Sequence, residues 1–155
     1  MQTHNLYNIL FKNIEKNLNN TAFHIPNGED LSYKDFQKLV NIIYINLIKK
    51  NLLPGDRICV QTEKSVEVVA LYIACLKLGA IYIPLNSDYS NDELVYFIED
   101  SKPKLFIIDK NNKFNDDSNL KKNSNFVSIE NLSLKKNDIN YSQENEDVFI
   151  AKAHD

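Results

Sequence analysis

The chain has 155 residues, which is enough for one domain or for part of a larger one. Its 18 basic and 21 acidic side chains leave a net charge of −3, which argues against nucleic acid or an anionic membrane surface as a partner. With 43% apolar residues the composition is that of a globular protein. No apolar run approaches the roughly 18 residues of a membrane-spanning helix.

The amino terminus and the cysteines indicate a cytoplasmic protein. Residues 1–5 lack the basic and apolar segments of a secretory signal, and they are not rich in Arg like a mitochondrial transit peptide. Cys59 and Cys75 each lie inside an apolar periodic segment. This placement favours reduced, buried thiols over a disulfide.

The first third of the chain predicts a helix, a hairpin and a second helix. Residues 5–18 have apolar side chains near helical spacing, namely Leu6, Ile9, Leu10, Phe11, Ile14 and Leu18. Residues 21–25 and 30–31 predict two strands around the turn 26–28. Ser32 is typical of a helix N-cap, with Asp35 adding negative charge to the first turn. The apolar face of that helix is predicted to comprise Phe36, Leu39, Val40, Ile43, Leu47 and Ile48.

After the Pro-Gly turn at 53–56, strands alternate with helices. Strands are predicted at 57–61, 80–83 and 104–108, the last of them apolar on both faces. Ser65 is predicted to cap a helix that ends at a left-handed Gly79, with Val66, Val69, Ala70, Ile73 and Leu76 as its apolar positions. Residues 90–93 have the sequence of a capping box and open a helix with Leu94, Phe97 and Ile98 inward. The alternation predicts an α/β fold, a mostly parallel sheet flanked by helices on both faces.

The last part of the chain differs in composition. Residues 113–146 are rich in Asn, Lys and Asp, and we expect a polar, loop-rich stretch with one possible strand at 126–129. Residues 147–151 begin as a buried strand, after which the sequence ends at residues 152–155. The predicted division is therefore 1–112, 113–146 and 147–155.

Several common binding sites are not predicted. Gly28, Gly55 and Gly79 are too far apart in sequence to form a Gly-rich phosphate loop. The histidines are isolated, without a second ligand at helix or hairpin spacing, so a zinc site is not expected at His4, His24 or His154.

The acidic pairs and one loop are weak site candidates. Residues 92–93 fall in the first turn of a helix, residues 99–100 at its end, and residues 116–117 in the polar stretch, where solvation accounts for the charge. Residues 62–65 (Thr62, Glu63, Lys64, Ser65) join a strand end to a helix start, where α/β folds place ligands. Capping and solvation also explain these four residues. No nucleophile has a flanking base, so no catalytic constellation is assembled.

Five segments resemble adenylate-forming enzymes, the AMP-forming acyl-CoA synthetases and the adenylation domains of peptide synthetases. The core motif is L-K-L-G-A-I-Y-I-P-L-N at 76–86, and the family patterns at 31–36, 53–58 and 89–109 agree in order and spacing. Residues 60–67, with Q-T-E-K-S-V-E, are most similar to malonyl-CoA synthetases. The resemblance spans roughly residues 5–112.

The resemblance implies a two-step reaction in which a carboxylate and ATP give an acyl-adenylate, and the CoA thiol then displaces AMP. ATP, Mg and CoA are implied for the full-length family, with a malonate-like acid. The family's phosphate loop should follow the strand that begins at Asp147, and the matched residues are scaffold. We therefore expect an incomplete N-terminal part of the large domain, with no catalytic, cofactor-binding or metal residue in this chain.

Three hypotheses for the function remain open. The chain is a truncated ligase that is inactive alone, one half of a split ligase with a second chain as partner, or a non-catalytic binding or regulatory module. The resemblance places the acid pocket outside these residues.

Overall fold

Parallel strands form the centre of the fold, as the alternation of strands and helices predicts. The computed structural model describes residues 5–12, 14–112 and 125–133. The elements are α1 (Leu6–Phe11), a 3₁₀ turn (Ile14–Asn17), β1 (Thr21–Phe23), β2 (Leu31–Ser32), α2 (Tyr33–Lys49), β3 (Arg57–Gln61), α3 (Val66–Leu78), β4 (Ile81–Pro84), α4 (Asn91–Ser101), β5 (Leu105–Ile108), β6 (Phe126–Ser128) and α5 (Ile129–Ser133).

The main sheet has the strand order β4-β3-β5-β6, and every neighbouring pair is parallel. In the register, Cys59 of β3 stands opposite Ile83 of β4 and Phe106 of β5. All four residues of β5 are buried, which confirms the prediction of a strand that is apolar on both faces. β1 and β2 form a separate antiparallel pair. The predicted hairpin is thus present, with a first strand that ends at Phe23 instead of residue 25 and a second strand shifted by one residue to Leu31–Ser32.

Helices cover both faces of the sheet, and the sheet divides the core into two clusters. The larger cluster lies on the side of α2, α3 and α5 and includes Ile43, Leu47 and Leu71. The smaller cluster lies under α4 and includes Leu94 and Ile98, packed against Cys59, Phe106 and Ile108 of the sheet. Cys75 belongs to the larger cluster, so the two thiols are in different clusters, and both are free and buried as predicted.

Serine side chains begin three of the helices, as the sequence predicts. The hydroxyl oxygens of Ser32, Ser65 and Ser90 accept hydrogen bonds from backbone N–H groups in the first turns of α2, α3 and α4. At α4 the capping box is complete, because Glu93 in turn accepts from the backbone N–H of Ser90 at 2.8 Å. These bonds satisfy donors that a helix start leaves free.

The prediction of one amphipathic helix over residues 5–18 is wrong. α1 ends at Phe11, a 3₁₀ turn follows, and the side chains of Leu6, Ile9 and Leu10 are exposed. Tyr7 is the buried residue of α1, because it stacks on Phe11 at 4.6 Å and lies beside the Lys77 ammonium of α3. A helix of six residues has little stability of its own, so its tertiary contacts decide which face is buried.

Smaller corrections concern which side chains point inward. Ile48, in the last turn of α2, is exposed, whereas Ile42 is buried. In α3, Val69 is exposed while Leu71 is buried; this helix is apolar nearly all round, so the 3.6-residue period alone does not select its buried face. The predicted strand at 126–129 ends at Ser128, since Ile129 already begins α5. The predicted strand at 147–151 lies outside the described residues.

Candidate functional site

The carboxyl ends of the parallel strands meet at one edge of the sheet. From β3 the chain enters α3, on the side of the larger core cluster, and from the neighbouring β4 it enters α4, on the side of the smaller one. Open α/β sheets bind ligands outside the carboxyl ends of the strands, at the point where the strand order reverses, which in the order β4-β3-β5-β6 lies between β3 and β5. We call the segments 61–65, 85–90, 109–110 and 128–130 at this end the carboxyl edge.

Gln61, the last residue of β3, is a buried polar side chain in this edge and is only 1% exposed. Its amide nitrogen Nε2 donates to the backbone oxygens of Asn86 at 3.0 Å and Ser87 at 3.4 Å. Its oxygen Oε1 accepts no hydrogen bond from any of the residues that the structure describes. Because both contacts are carbonyl acceptors, the orientation of the amide is fixed. Gln61 therefore ties β3 to the loop that follows β4.

The loop at 62–65 lies at the carboxyl edge, as its position in the sequence predicts. The backbone N–H of Glu63 donates to Oδ2 of Asp109, which directly follows β5, at 2.9 Å. Ser65 caps α3, and Lys64 is exposed. The segment thus bridges the ends of β3 and β5.

A third connection at the edge involves Glu130 in the first turn of α5. Both carboxylate oxygens accept from the backbone N–H of Lys110 at 3.1 Å. Burial acts to raise the pKa of Glu130, but bonds from backbone N–H groups and from the Ser128 hydroxyl outweigh it and lower that pKa. Glu130 is therefore a charged acceptor that joins α5 to the end of β5.

The buried thiols are not activated nucleophiles. Burial raises the pKa of Cys59, although a hydrogen bond with Ser101 opposes that shift. Burial also raises the pKa of Cys75, to about 12. Both thiols stay protonated near neutral pH, whereas a reactive cysteine needs a thiolate.

Of the other sequence candidates, Glu93 reaches the carboxyl edge through its bond with the backbone N–H of Ser90, where it acts as a helix cap. His24 pairs with Asp30 at 2.8 Å between β1 and β2, where both side chains are largely exposed. The Asp92 and Glu93 pair stands in the first turn of α4, and residues 99–100 are exposed at its end. His4, His154 and residues 116–117 lie outside the described residues.

Among the described residues, neither the glycine turns nor a group of metal-ligating side chains forms a further binding site. Gly55 and Gly79 stand at the opposite end of the sheet, before β3 and β4. In the described part of the chain, no three His, Cys, Asp or Glu side chains are grouped so that they could hold a metal ion. Across that same part, no helix combines the length and apolar character needed to cross a membrane.

Sequence reasoning missed the three side chains that connect the edge. Gln61 closes a strand whose middle residues 58–60 are apolar and buried, and a buried polar residue at such a strand end is a signal that could have indicated it. Asp109 also directly follows an apolar strand. Glu130 carries no such signal, because its role depends on where α5 packs.

Comparisons with known proteins agree with the fold. Residues 10–154 match the family described as AMP-binding enzyme. ATP-bound MatB from Rhodopseudomonas palustris superposes with a TM-score of 0.75 and 28% identity, covering 85% of this chain and 28% of MatB. The N-terminal subdomain of NpsA from Klebsiella oxytoca, with a TM-score of 0.69 and 16% identity, covers 82% of this chain and 32% of that one, which supports the fold alone.

A relative from peptide synthesis matches part of the sequence. Tyrocidine synthase 1 of Brevibacillus parabrevis is 31% identical over 80 residues, which are 52% of this chain and 7% of that protein. The chain thus spans a small fraction of this relative and between a quarter and a third of MatB.

Proposed function

This chain belongs to the AMP-binding enzyme family, and on that premise we propose that it forms the N-terminal part of an ATP-dependent, AMP-forming acid–CoA ligase. Such a ligase joins a carboxylate to AMP with release of pyrophosphate, and the CoA thiol then displaces AMP. The observation that carries the proposal is the similarity to ATP-bound MatB, at a TM-score of 0.75 over 85% of the chain.

The proposed acid is malonate or a similar small carboxylate. Residues 60–67 have the Q-x-E-K-S-x-E pattern of malonyl-CoA synthetases, and they include Gln61 and the loop at the carboxyl edge. MatB is 28% identical to the chain over the superposed region. The sequence pattern and the similarity to MatB both support this substrate class.

The described residues act in this proposal as scaffold. Phosphate groups are held by clustered backbone N–H donors, usually in a Gly-rich turn. The 155 residues contain three glycines, and Gly55 and Gly79 stand at the amino ends of β3 and β4, away from the carboxyl edge. ATP, Mg and CoA would be held by other parts of the ligase, and the chain alone would be inactive.

A second candidate is the adenylation domain of a peptide synthetase, which activates an amino acid. The match to tyrocidine synthase 1, at 31% identity over 80 residues, favours it. The matched segment is scaffold in both cases, so the choice depends on residues that bind the acid.

Two further alternatives concern how the chain works. It could be one half of a split ligase whose partner chain supplies the phosphate loop, or a binding or regulatory module without chemistry. The buried thiols Cys59 and Cys75, which form no disulfide, support a cytoplasmic location for each alternative.

The DNA that follows codon 155 tests these alternatives directly. A downstream stretch that encodes a phosphate loop, in or out of frame, supports a truncated or split ligase. Unrelated sequence there supports the non-catalytic module. Assays of pyrophosphate release with malonate and with the common amino acids, on a complex that contains the downstream part, then separate the acid–CoA ligase from the adenylation domain.

A further inference from the structure

Lys77, in the last turn of α3, is a charged side chain that the protein encloses almost completely, since it is only 7% exposed. Its ammonium donates to Oδ1 of Asn41 in α2 at 3.0 Å. The same ammonium lies over two aromatic rings, 4.7 Å from the centroid of Tyr44 in α2 and 5.4 Å from that of Tyr7 in α1. A cation is attracted to the face of an aromatic ring, and more strongly where water is excluded. Three helices therefore meet at one buried positive charge.

The helix α1 buries little apolar surface of its own. Tyr7 is its buried residue and Phe11, which stacks on Tyr7 within the same helix, is half-buried. The other apolar side chains of α1 are exposed, namely Leu6, Ile9 and Leu10. A six-residue helix does not persist in water without tertiary contacts. The contacts of Tyr7 with the rest of the protein therefore decide whether α1 is docked.

Asn5 joins the start of α1 to the same end of α3. Its Oδ1 caps α1 by accepting from the backbone N–H of Tyr7 at 2.8 Å, and its Nδ2 donates to the carbonyl oxygen of Leu76 at 3.2 Å. The carbonyl end of a helix also favours a positive charge, which is supplied here by Lys77. The cap of α1 and the Tyr7 ring thus converge on the last turn of α3.

We propose that Lys77 is a positioning residue for the segment 5–11, which we call the clasp, and that its ammonium holds the clasp on α3 through the Tyr7 ring. When the clasp detaches, the ammonium loses Tyr7 but keeps Asn41 and Tyr44 of α2. Lys77 is the one charged residue of the motif 76–86, and this contact gives that charge a role. The inference does not depend on the proposed ligase activity.

Substitutions on both sides of the contact test the clasp in the 155-residue chain. The probe is amide exchange at Ile9, followed by NMR, because the Ile9 N–H donates to Asn5 O at 3.3 Å within α1. Lys77→Met keeps a long apolar side chain and removes the charge, while Tyr7→Leu keeps an apolar side chain and removes the ring. We expect each variant to accelerate exchange at Ile9 about fivefold or more.

Two further variants are matched controls. Tyr7→Phe keeps the ring that faces the ammonium, and Leu10→Ala truncates an exposed side chain of the same helix. Each should change exchange at Ile9 by less than about twofold. The double variant Lys77→Met with Tyr7→Leu should exchange no more than about twofold faster than Tyr7→Leu alone, because both changes remove one contact.

Three results would each overturn the proposal. Unchanged or slower exchange in Lys77→Met would mean that an apolar side chain holds the clasp as well as the charge does. Effects that multiply in the double variant would mean that the ring and the ammonium act separately. Equal acceleration in Tyr7→Leu and Tyr7→Phe would mean that the ring is not the group that is held. This last comparison decides even if Lys77→Met fails to fold, because the Tyr7 variants leave the contacts of Lys77 with α2 in place.

Discussion

The backbone N–H of Gly55 donates to the carbonyl oxygen of Gly79 at 2.8 Å, joining the turn before β3 to the end of α3. Both glycines are left-handed, with φ of 82° and 78°. Gly55 is the third residue of a turn closed by Asp56 N–H and Leu53 O at 3.0 Å, and Gly79 is the C-cap of α3. Two positions far apart in sequence thus set the starting points of β3 and β4 side by side.

Substitution of Gly79 should destabilise the chain more than substitution of Gly28. A β-branched side chain at φ 78° is strained, so we expect Gly79→Val to lower the free energy of unfolding by about 1–2 kcal/mol or more. An added Cβ at Gly28 would meet the Ile25 side chain at 3.0 Å, which a small shift can relieve. Urea unfolding of Gly79→Val and Gly28→Ala gives the comparison.

Gly79→Asn is the matched control, because Asn tolerates the left-handed region better than Val. Its unfolding midpoint should lie between those of the wild type and Gly79→Val. If Gly28→Ala proves the more damaging change, the assignment of Gly79 as the helix terminator is wrong.

The ion pair between Asp56 and Lys104 should make stability depend on pH in the acid range. Lys104 Nζ lies 2.8 Å from Asp56 Oδ2, which also accepts from Leu53 N–H at 2.7 Å. Burial acts to raise the pKa of Asp56, but these bonds outweigh it and hold that pKa below its ordinary value of 3.8. The unfolded chain then binds the proton more readily, so this stabilisation is present above pH 3.8 and is lost as the pH falls through the folded pKa.

We expect Asp56→Asn to lower the free energy of unfolding at pH 7 by about 1 kcal/mol and to have little effect near pH 2. Urea unfolding at both pH values measures the difference. An equal loss at pH 7 and near pH 2 would mean that the charge of Asp56 contributes nothing.

The capping box of α4 should contribute measurably to its stability. Ser90→Ala removes the acceptor for the Glu93 N–H, and we expect a loss of about 1 kcal/mol in the free energy of unfolding. Ser87→Ala, three residues earlier and outside the box, is the matched control and should be close to neutral. Similar losses in the two variants would show that the box is not the source of the effect.

The alternation of strands and helices, the parallel sheet and the three serine caps could be predicted from sequence, because each depends on local pattern or on residues within one turn. The buried face of α1 could not, because Tyr7 is selected by its contacts with Phe11 and the distant Lys77. The loop at 62–65 was placed correctly from its position alone. The roles of Gln61 and Glu130 depend on which strand ends and helices become neighbours in the fold. A single sequence does not reveal these tertiary neighbours.

The chain is expected to self-associate. Among the described strands, β4 lies at an edge of the sheet, where Ile81 is 46% exposed, and the apolar side chains of Val69 and Tyr72 on α3 are also exposed. Apolar surface next to a sheet edge favours contacts between chains, and a net charge of −3 opposes them weakly. Light scattering over a dilution series should show a mass that rises with concentration, and Ile81→Lys should reduce the rise. A monomeric mass at every concentration, together with a cooperative thermal transition, would contradict the proposal that these residues form an incomplete domain.

The most direct test of the central claim compares two proteins in a pyrophosphate-release assay with ATP, malonate and CoA. One is the 155-residue chain alone, and the other is MatB with its equivalent segment replaced by residues 5–112 of this chain. If the described residues are the scaffold of an acid–CoA ligase, the chain alone should match the no-enzyme control while the chimera releases pyrophosphate. Release by the chain alone above that control would contradict the account, because the chemistry would then lie within these residues.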